Sequence, residues 1–409
     1  MHITNIETFV VGNPPPHYGG RYFLFVKLTT NNNIIGYGEA YSAAFDPHLT
    51  AKLIEDIGAR YLIGRDPHDT ETFFRLCHGS GFSQRPDPTV MGCFSALEMA
   101  CWDIIGKDAG KPVHKLIGGK VHERLRVYTY LYPHFENEKT ASVYPSELSG
   151  KNVYNDPDMA AECALRWINQ GMTGLKFDPA GPYTAFDGHQ PRLIDIDLSV
   201  RMVKAVREAV GTRADILFGT HGQFTPSGAA RMARALEPFD PLWFEEPVPP
   251  DSPEAMADIA RKTSIPIAAG ERLTTIWEFG RLLEMRAASI VQPNSGRSGG
   301  ILQTRKIAAL AEYHHASLAP HCYCGPIVAA ANAQVAAASP NFLILEAIRH
   351  FDGFHADILV KPLVVEDGHL LLPTEPGLGV ELNEAVARAH PYNAAHLHLE
   401  MTNAPIGMT

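Results

Sequence analysis

Residues 215–236, DILFGTHGQFTPSGAARMARAL, change character in their middle. Ile216 to Phe218 form a short apolar run of the kind that makes a fully buried strand. Gly219-Thr220-His221-Gly222 ends the run. Thr225 then offers a cap hydroxyl and Pro226 a pre-set φ, so a helix begins there. The segment reads strand, loop, helix, with an imidazole on the lip between the two elements.

The same unit recurs. Strands are expected at Leu125–Leu131, Gly174–Phe177, Asp215–Phe218, Pro241–Glu245, Ile265–Ala269, Ala288–Gln292, Ser317–Pro320 and Phe342–Leu345, with amphipathic helices between them. Polar residues follow the strand ends at His221, Glu245, Glu271, Asn294, His321 and Glu346, spaced 24, 26, 23, 27 and 25 residues apart. One strand, one helix and two loops consume about that length, so these positions occupy equivalent places in successive units. Eight units close into a parallel barrel, whose active site lies at the C-terminal strand ends.

Residues 1–124 have a different texture. Ile3–Val11, Tyr22–Thr30 and Ile34–Tyr41 read as strands, with Asn31 to Asn33 as a hairpin tip. Thr50–Ile63, Asp69–His78 and Thr89–Ala109 carry apolar residues at helical spacing. The expected division is an α+β domain over residues 1–124, completed by the Gly- and Pro-punctuated tail 373–409, and a barrel over residues 125–372. The stretches from Pro133 to Asp156 and from Asp178 to Ile194 are too long for ordinary connections, which marks them as substrate-covering or assembly loops.

Composition narrows the partners. The 409 residues are 45% hydrophobic and 20% charged, the balance of a soluble globular protein. No apolar run long enough to span a membrane and no signal-type start is expected, which gives a cytoplasmic assignment. The net charge of −10 disfavours nucleic acid and anionic membranes, and a small anionic substrate would need a locally positive site. The six cysteines lack a framework spacing and read as buried thiols; Cys322 and Cys324 beside His321 are a weak zinc pattern.

Glu245 (WFEEP) and Glu271 (AAGER) end adjacent strands. Two carboxylates facing one mouth repel unless a cation lies between them, and hard oxygen ligands suit Mg²⁺. Glu246 is either a supporting neighbour or points away. Lys176 ends the second strand in GLKFD, and His321 ends the seventh in LAPHCY. A cation nearby disfavours the ammonium form, so Lys176 is a candidate base. The chemistry that needs this set is removal of the proton beside a carboxylate, with the ene-diolate stabilised electrostatically. His221, placed to donate a proton, would expel a β-hydroxyl as water.

Over nearly its whole length the chain resembles the enolase superfamily, mandelate racemase subgroup. The motifs are ALEMACWDIIGKDAGKPVHKLIGG at the join between domains, then WFEEPVPP, IAAGERL, QPNSGRSGGI, APHC and LILEA. The resemblance implies an α+β capping domain, a modified (β/α)7β barrel of the α/β class, and Mg²⁺ held by carboxylates after strands three, four and five. It makes Lys176 the strand-two base, Glu245 and Glu271 metal ligands, His321 an acid/base, and Glu346 a partner of the substrate carboxylate. KFDP with a strand-three histidine, His221, is similar to sugar-acid dehydratases acting on gluconate or galactonate. Loops near His17 to Arg21 and Gly79 to Asp87 correspond to specificity loops, so His17, Arg21 and Arg85, with Asp178 and Asn294, are the candidate substrate contacts. The resemblance also implies a homo-oligomer, a dimer or octamer.

Two positions depart from the family pattern. Gly219 stands where the strand-three metal carboxylate is normally found, leaving His221, Asp178 or water to complete the site. Asn294 stands where an aspartate normally charges the strand-seven histidine, which weakens His321 as a base and favours Lys176. The leading expectation is a Mg²⁺-dependent dehydratase of an aldonic or related acid sugar giving a 2-keto-3-deoxy acid. The alternatives are a lactone cycloisomerase or epimerase, and a homologue with a lapsed metal site acting as a binding or assembly protein.

Overall fold

The computed structural model describes residues 1–406 apart from 42, 43, 86 and 182. The chain opens with a three-stranded antiparallel sheet, β1 (Ile3–Gly12), β2 (Tyr22–Thr30) and β3 (Ile35–Ala40). Helices α1 (Pro47–Tyr61), α2 (Thr70–His78) and α3 (Pro88–Asp108) pack beside it, and a short α4 (Val113–Leu116) leads out. Asp46 and Asp87 cap α1 and α3 through their side chains, and in each case proline takes the first turn.

One expectation needs correcting here. Helix α3 has 21 residues and is long and apolar enough to cross a membrane, but 83% of its most apolar window is buried inside the protein. It is the core helix of the first domain, apolar because it is covered on nearly every side. Gly36 and Gly38 of β3 allow this close approach. A Cβ at Gly38 would fall 1.9 Å from the Ala96 carbonyl oxygen of α3.

The barrel follows as β4 (Arg124–Tyr130), α5 (Pro157–Asn169), β5 (Gly174–Phe177), α6 (Leu193–Val210), β6 (Asp215–Phe218), α7 (Pro226–Leu236), β7 (Trp243–Glu245), α8 (Pro253–Ala260), β8 (Ile267–Ala269), α9 (Thr275–Glu284), β9 (Ile290–Val291), α10 (Gly300–Tyr313), β10 (Ser317–Leu318), α11 (Pro326–Ala337) and β11 (Leu345–Glu346). All neighbouring strands are parallel. Closure differs from expectation at the eighth strand. The segment expected at Phe342–Leu345 meets β10 only through an isolated bridge from Leu318 to Phe342, and the chain then shifts so that Leu345 and Glu346 pair with Val127 and Tyr128 of β4. A short α12 (Phe354–Asp357), the hairpin β12 (Val365–Glu366) and β13 (His369–Leu371), and α13 (Glu384–Ala389) complete the chain.

The interior of the barrel is a plug. Tyr128, Leu217, Trp243, Ala268, Ile290, Ala319 and Ile344 form one buried cluster, one side chain from each of seven strand segments. Gly174 leaves the eighth place small, and a Cβ there would meet Tyr128 and Ile344 within 3.0 Å. Alternate residues, such as Phe218, Phe244, Val291 and Leu318, face the surrounding helices instead.

Buried carboxylates fasten the first domain to the barrel. Glu39 of β3 accepts the backbone N–H groups of Gly325 (2.5 Å) and Val328 (2.9 Å) at the start of α11. Glu98 of α3 likewise accepts from Ile301 (2.7 Å) and Leu302 (3.0 Å) at the start of α10. Each carboxylate satisfies two orphan donors at a helix N-terminus. Glu39→Ala strands two buried N–H groups, so unfolding should become easier by about 3 kcal/mol, read as a fall in Tm or in the urea midpoint. An unchanged Tm would show that this fastening contributes nothing.

The tail returns to the first sheet. Gly12 N–H donates to His390 O (2.7 Å), Tyr392 N–H donates to Val10 O (3.0 Å), and Lys27 pairs with Glu384 at 2.6 Å.

Candidate active site

Side chains alternate along a strand, so residues two positions beyond the plug point into the same interior, one layer nearer the mouth. That layer contains Tyr130, Lys176, Gly219, Glu245, Gln292, His321 and Glu346. At β8 the positive φ of Gly270 (132°) turns the chain, and the next residue, Glu271, serves the mouth. The sequence-level constellation therefore converges. Lys176, Glu245 and Glu346 are fully buried, with His321 and Glu271 3% and 5% exposed.

Lys176 Nζ lies 2.5 Å from Glu245 Oε1 and over the Tyr130 ring at 4.9 Å. Burial would strip its proton, but Glu245, Glu346, Glu271 and Asp178 hold the ammonium above the ordinary lysine range. Burial pushes the Glu245 carboxyl up, against the pull of Lys176. The other oxygen, Oε2, accepts from Trp243 Nε1 (3.0 Å) and Gln292 Nε2 (2.9 Å), which fixes the carboxylate's orientation.

Glu271 stands between two imidazoles, with Oε1 3.5 Å from His221 Nε2 and Oε2 3.5 Å from His321 Nε2. Burial alone would raise it; His221 above all, with Lys176 as a further positive charge, brings it well below the usual carboxylate range. His221 Nδ1 meets the Tyr183 hydroxyl at 2.5 Å and lies 3.9 Å from Asp178 Oδ2. Burial works against a charge on His221, yet Glu271 and Asp178 outweigh it and its pKa stands at about 9. Without a cation on Glu271, these carboxylates favour the protonated ring.

His321 is the opposite case. Asn294 Oδ1 accepts from Gly296 N–H (2.8 Å), so its amide nitrogen faces His321 Nδ1 at 3.0 Å. Nδ1 must then be the acceptor, which places the ring proton on Nε2, toward Glu271 and Glu346 (3.7 Å). Burial lowers the His321 pKa, with Glu271 and Glu346 opposing. A neutral imidazole with its proton already facing the site is a hydrogen-bond donor and not a base. Glu346 Oε2 accepts from Cys322 N–H (2.8 Å), while Oε1 is buried without a hydrogen-bond partner.

Other expected contacts fall elsewhere. Glu246 pairs with Arg272 at 2.7 Å. Arg21 pairs with Glu147 and lies over the Tyr144 ring at 4.1 Å, and His17 Nδ1 contacts Asn13 O at 2.7 Å. Both secure the covering segments instead of joining the carboxylate cluster. Arg85 is exposed in a cleft of the first domain with Asp56, Arg60 and His78, so the structure does not bring it to the barrel mouth. Cys322 and Cys324 are buried free thiols.

The tail reaches this region. Thr402 N–H donates to Tyr183 O (3.0 Å) and Ala185 N–H to Thr402 O (2.9 Å), so the C-terminal strap positions the loop whose hydroxyl contacts His221. Gly20 leaves room beneath it, because a Cβ there would stand 1.8 Å from the His398 ring. Tyr183, Trp243 and Gln292 were missed by sequence reasoning. The alternation of WFE could have revealed Trp243, two residues before Glu245; the length of the stretch from Asp178 to Ile194 marked it as a covering or assembly loop, but nothing within it singled out Tyr183.

The residues suit a divalent cation. One ligand atom each from His221, Glu245 and Glu271 lies within 4.8 Å of the others, and the buried Glu271 Oε2 has no hydrogen-bond partner. The donors are mostly hard oxygens.

Residues 158–386 match the enolase C-terminal domain-like family, and residues 17–118 match the mandelate racemase/muconate lactonizing enzyme N-terminal domain. The chain belongs to the enolase superfamily. It is 33% identical to D-xylonate dehydratase of Haloferax volcanii, over 95% of this chain and 88% of that protein. With D-galactonate dehydratase of Ralstonia nicotianae it shares 31% identity over 94% of this chain and 93% of the relative. A mandelate racemase/muconate lactonizing enzyme family structure from Labrenzia alexandrii DFL-11 superposes with a TM-score of 0.94 at 59% identity, covering 98% of this chain and all of that one. The capping domain and (β/α)7β barrel of this α/β fold are those of the superfamily.

Proposed function

We propose that the protein is a hydro-lyase, a Mg²⁺-dependent dehydratase of an aldonic or related acid sugar. One observation carries the reading: a lysine and a histidine meet the same pair of buried glutamates, with Lys176 on Glu245 at 2.5 Å and His221 on Glu271 at 3.5 Å. Its relatives named as sugar-acid dehydratases support the same class.

Glu245 and Glu271 would hold the cation. Bound there, it would offset the negative charge that keeps Lys176 protonated and withdraw electrons from the substrate carboxylate. Lys176 takes the proton from the carbon beside the carboxylate, leaving an ene-diolate. His321 Nε2–H is placed to donate to a developing oxyanion. The β-carbon–oxygen bond then breaks as His221 protonates the departing hydroxyl, so water leaves and the enol tautomerises to a 2-keto-3-deoxy acid. Burial of the cluster excludes bulk water, which strengthens each of these interactions. The negative field of the chain as a whole makes a local cation the means of attracting an anionic substrate.

The test is a panel of four- to six-carbon aldonic acids, assayed for 2-keto acid with Mg²⁺ and again after chelation. Product from one or more members, lost on chelation and recovered with added Mg²⁺, is expected. Isotope exchange at the α-carbon without any keto acid would favour the epimerase alternative, and activity indifferent to chelation would overturn the metal requirement.

A further inference from the structure

In the layer that carries the chemistry, β6 contributes Gly219 and therefore no side chain. The space is nevertheless filled. A Cβ at position 219 would stand 1.6 Å from Asp178 Oδ1, about one bond length, and 3.2 Å from Lys176 Cε. The carboxylate of Asp178, two residues after Lys176 on the neighbouring strand's exit, thus occupies the volume that a side chain from β6 would use. Asp178 Oδ1 is buried with no hydrogen-bond partner, as is Glu271 Oε2.

We propose that Asp178 supplies the third anionic ligand of the metal site, a carboxylate moved from one strand end to the next. The inference rests on the divalent-metal reading given above. The competing ligand is His221, whose ligand atom, unlike that of Asp178, lies within 4.8 Å of those of Glu245 and Glu271. Two arguments place Asp178 ahead of it. A hard cation favours carboxylate over imidazole. His221 Nδ1 is also engaged by Tyr183, and a ring whose remaining nitrogen bound metal would have no proton to give a leaving group. The move also accounts for Gly219, because any larger residue there would collide with the carboxylate that replaced it.

The probe is Mn²⁺, titrated calorimetrically into metal-free protein and followed by electron spin-echo modulation for directly bound nitrogen. Asp178→Asn keeps the shape and should weaken Mn²⁺ binding by more than the roughly 10–100-fold that losing an outer-shell partner costs. Gly219→Asp alone should also weaken binding, by displacing Asp178. The double variant Asp178→Gly, Gly219→Asp, which puts the carboxylate back on β6, should recover affinity to within about threefold of wild type, since ligand charge and number are restored. It also keeps the test decisive if Asp178→Asn fails to fold. Wild-type affinity in Asp178→Asn, no recovery in the double variant, or nitrogen bound directly to Mn²⁺ in the wild type would overturn the assignment. Wild-type protein that binds no Mn²⁺ would instead remove the metal reading on which it stands.

Discussion

Lys176→Met is expected to lower dehydration and α-hydrogen exchange in D2O together, each by about 10²–10⁴-fold, the usual contribution of a positioned base. Methionine keeps the length and apolar stem that pack within the barrel mouth, and removes only the amine proposed as the base. In the proposed reaction proton abstraction precedes hydroxide loss, so a variant without the base should lose both readouts equally. Wild-type exchange in Lys176→Met would show that another group removes the proton; the tautomer of His321 argues against that residue, since its Nδ1 faces Asn294 and its Nε2 already carries hydrogen. The substitution has a second consequence. Lys176 is the ammonium among buried Glu245, Glu271 and Glu346, and taking one member from a buried ion pair costs about 3–5 kcal/mol. Metal-free Lys176→Met should therefore melt lower than wild type, and saturating Mg²⁺ should narrow the gap by replacing the lost positive charge. Equal melting of the two metal-free proteins would mean that the carboxylates do not rely on the lysine.

The sequence made the barrel legible where strands are buried on both faces and punctuated by glycine or proline, as at Gly174–Phe177 and Asp215–Phe218, whose bounds the structure reproduces. It misplaced the eighth strand because Phe342 to Leu345 is as apolar as its neighbours, while closure of the barrel decides which residues pair; the ladder to β4 is made by Leu345 and Glu346. The site was legible to the extent that register fixes direction. Lys176, Glu245, His321 and Glu346 sit two residues above plug positions, and their inward aim follows from alternation. Arg85 could not be placed by such logic, because loop composition carries no direction. The relation between Gly219 and Asp178 lies between those extremes. Each was visible as a letter, but that one fills the space of the other is a fact of distance alone.

His221→Asn is expected to separate the two halves of the reaction. Lys176 and the glutamates remain, so α-hydrogen exchange should persist near the wild-type rate, while keto-acid formation falls by about 10²–10⁴-fold because the departing hydroxide is no longer protonated. The pH profile should agree. An acid must carry its proton to act, so wild-type dehydration should decline at alkaline pH as His221 loses its proton, with the limb below the value of about 9 that Glu271 and Asp178 set in the metal-free site, because a bound cation offsets those carboxylates. That alkaline limb should be absent from the exchange reaction. Undiminished dehydration in His221→Asn would assign the acid elsewhere. Loss of exchange together with dehydration would mean that the imidazole serves the metal or the base and not the leaving group, which is the role it would have if His221, and not Asp178, completed the cation site.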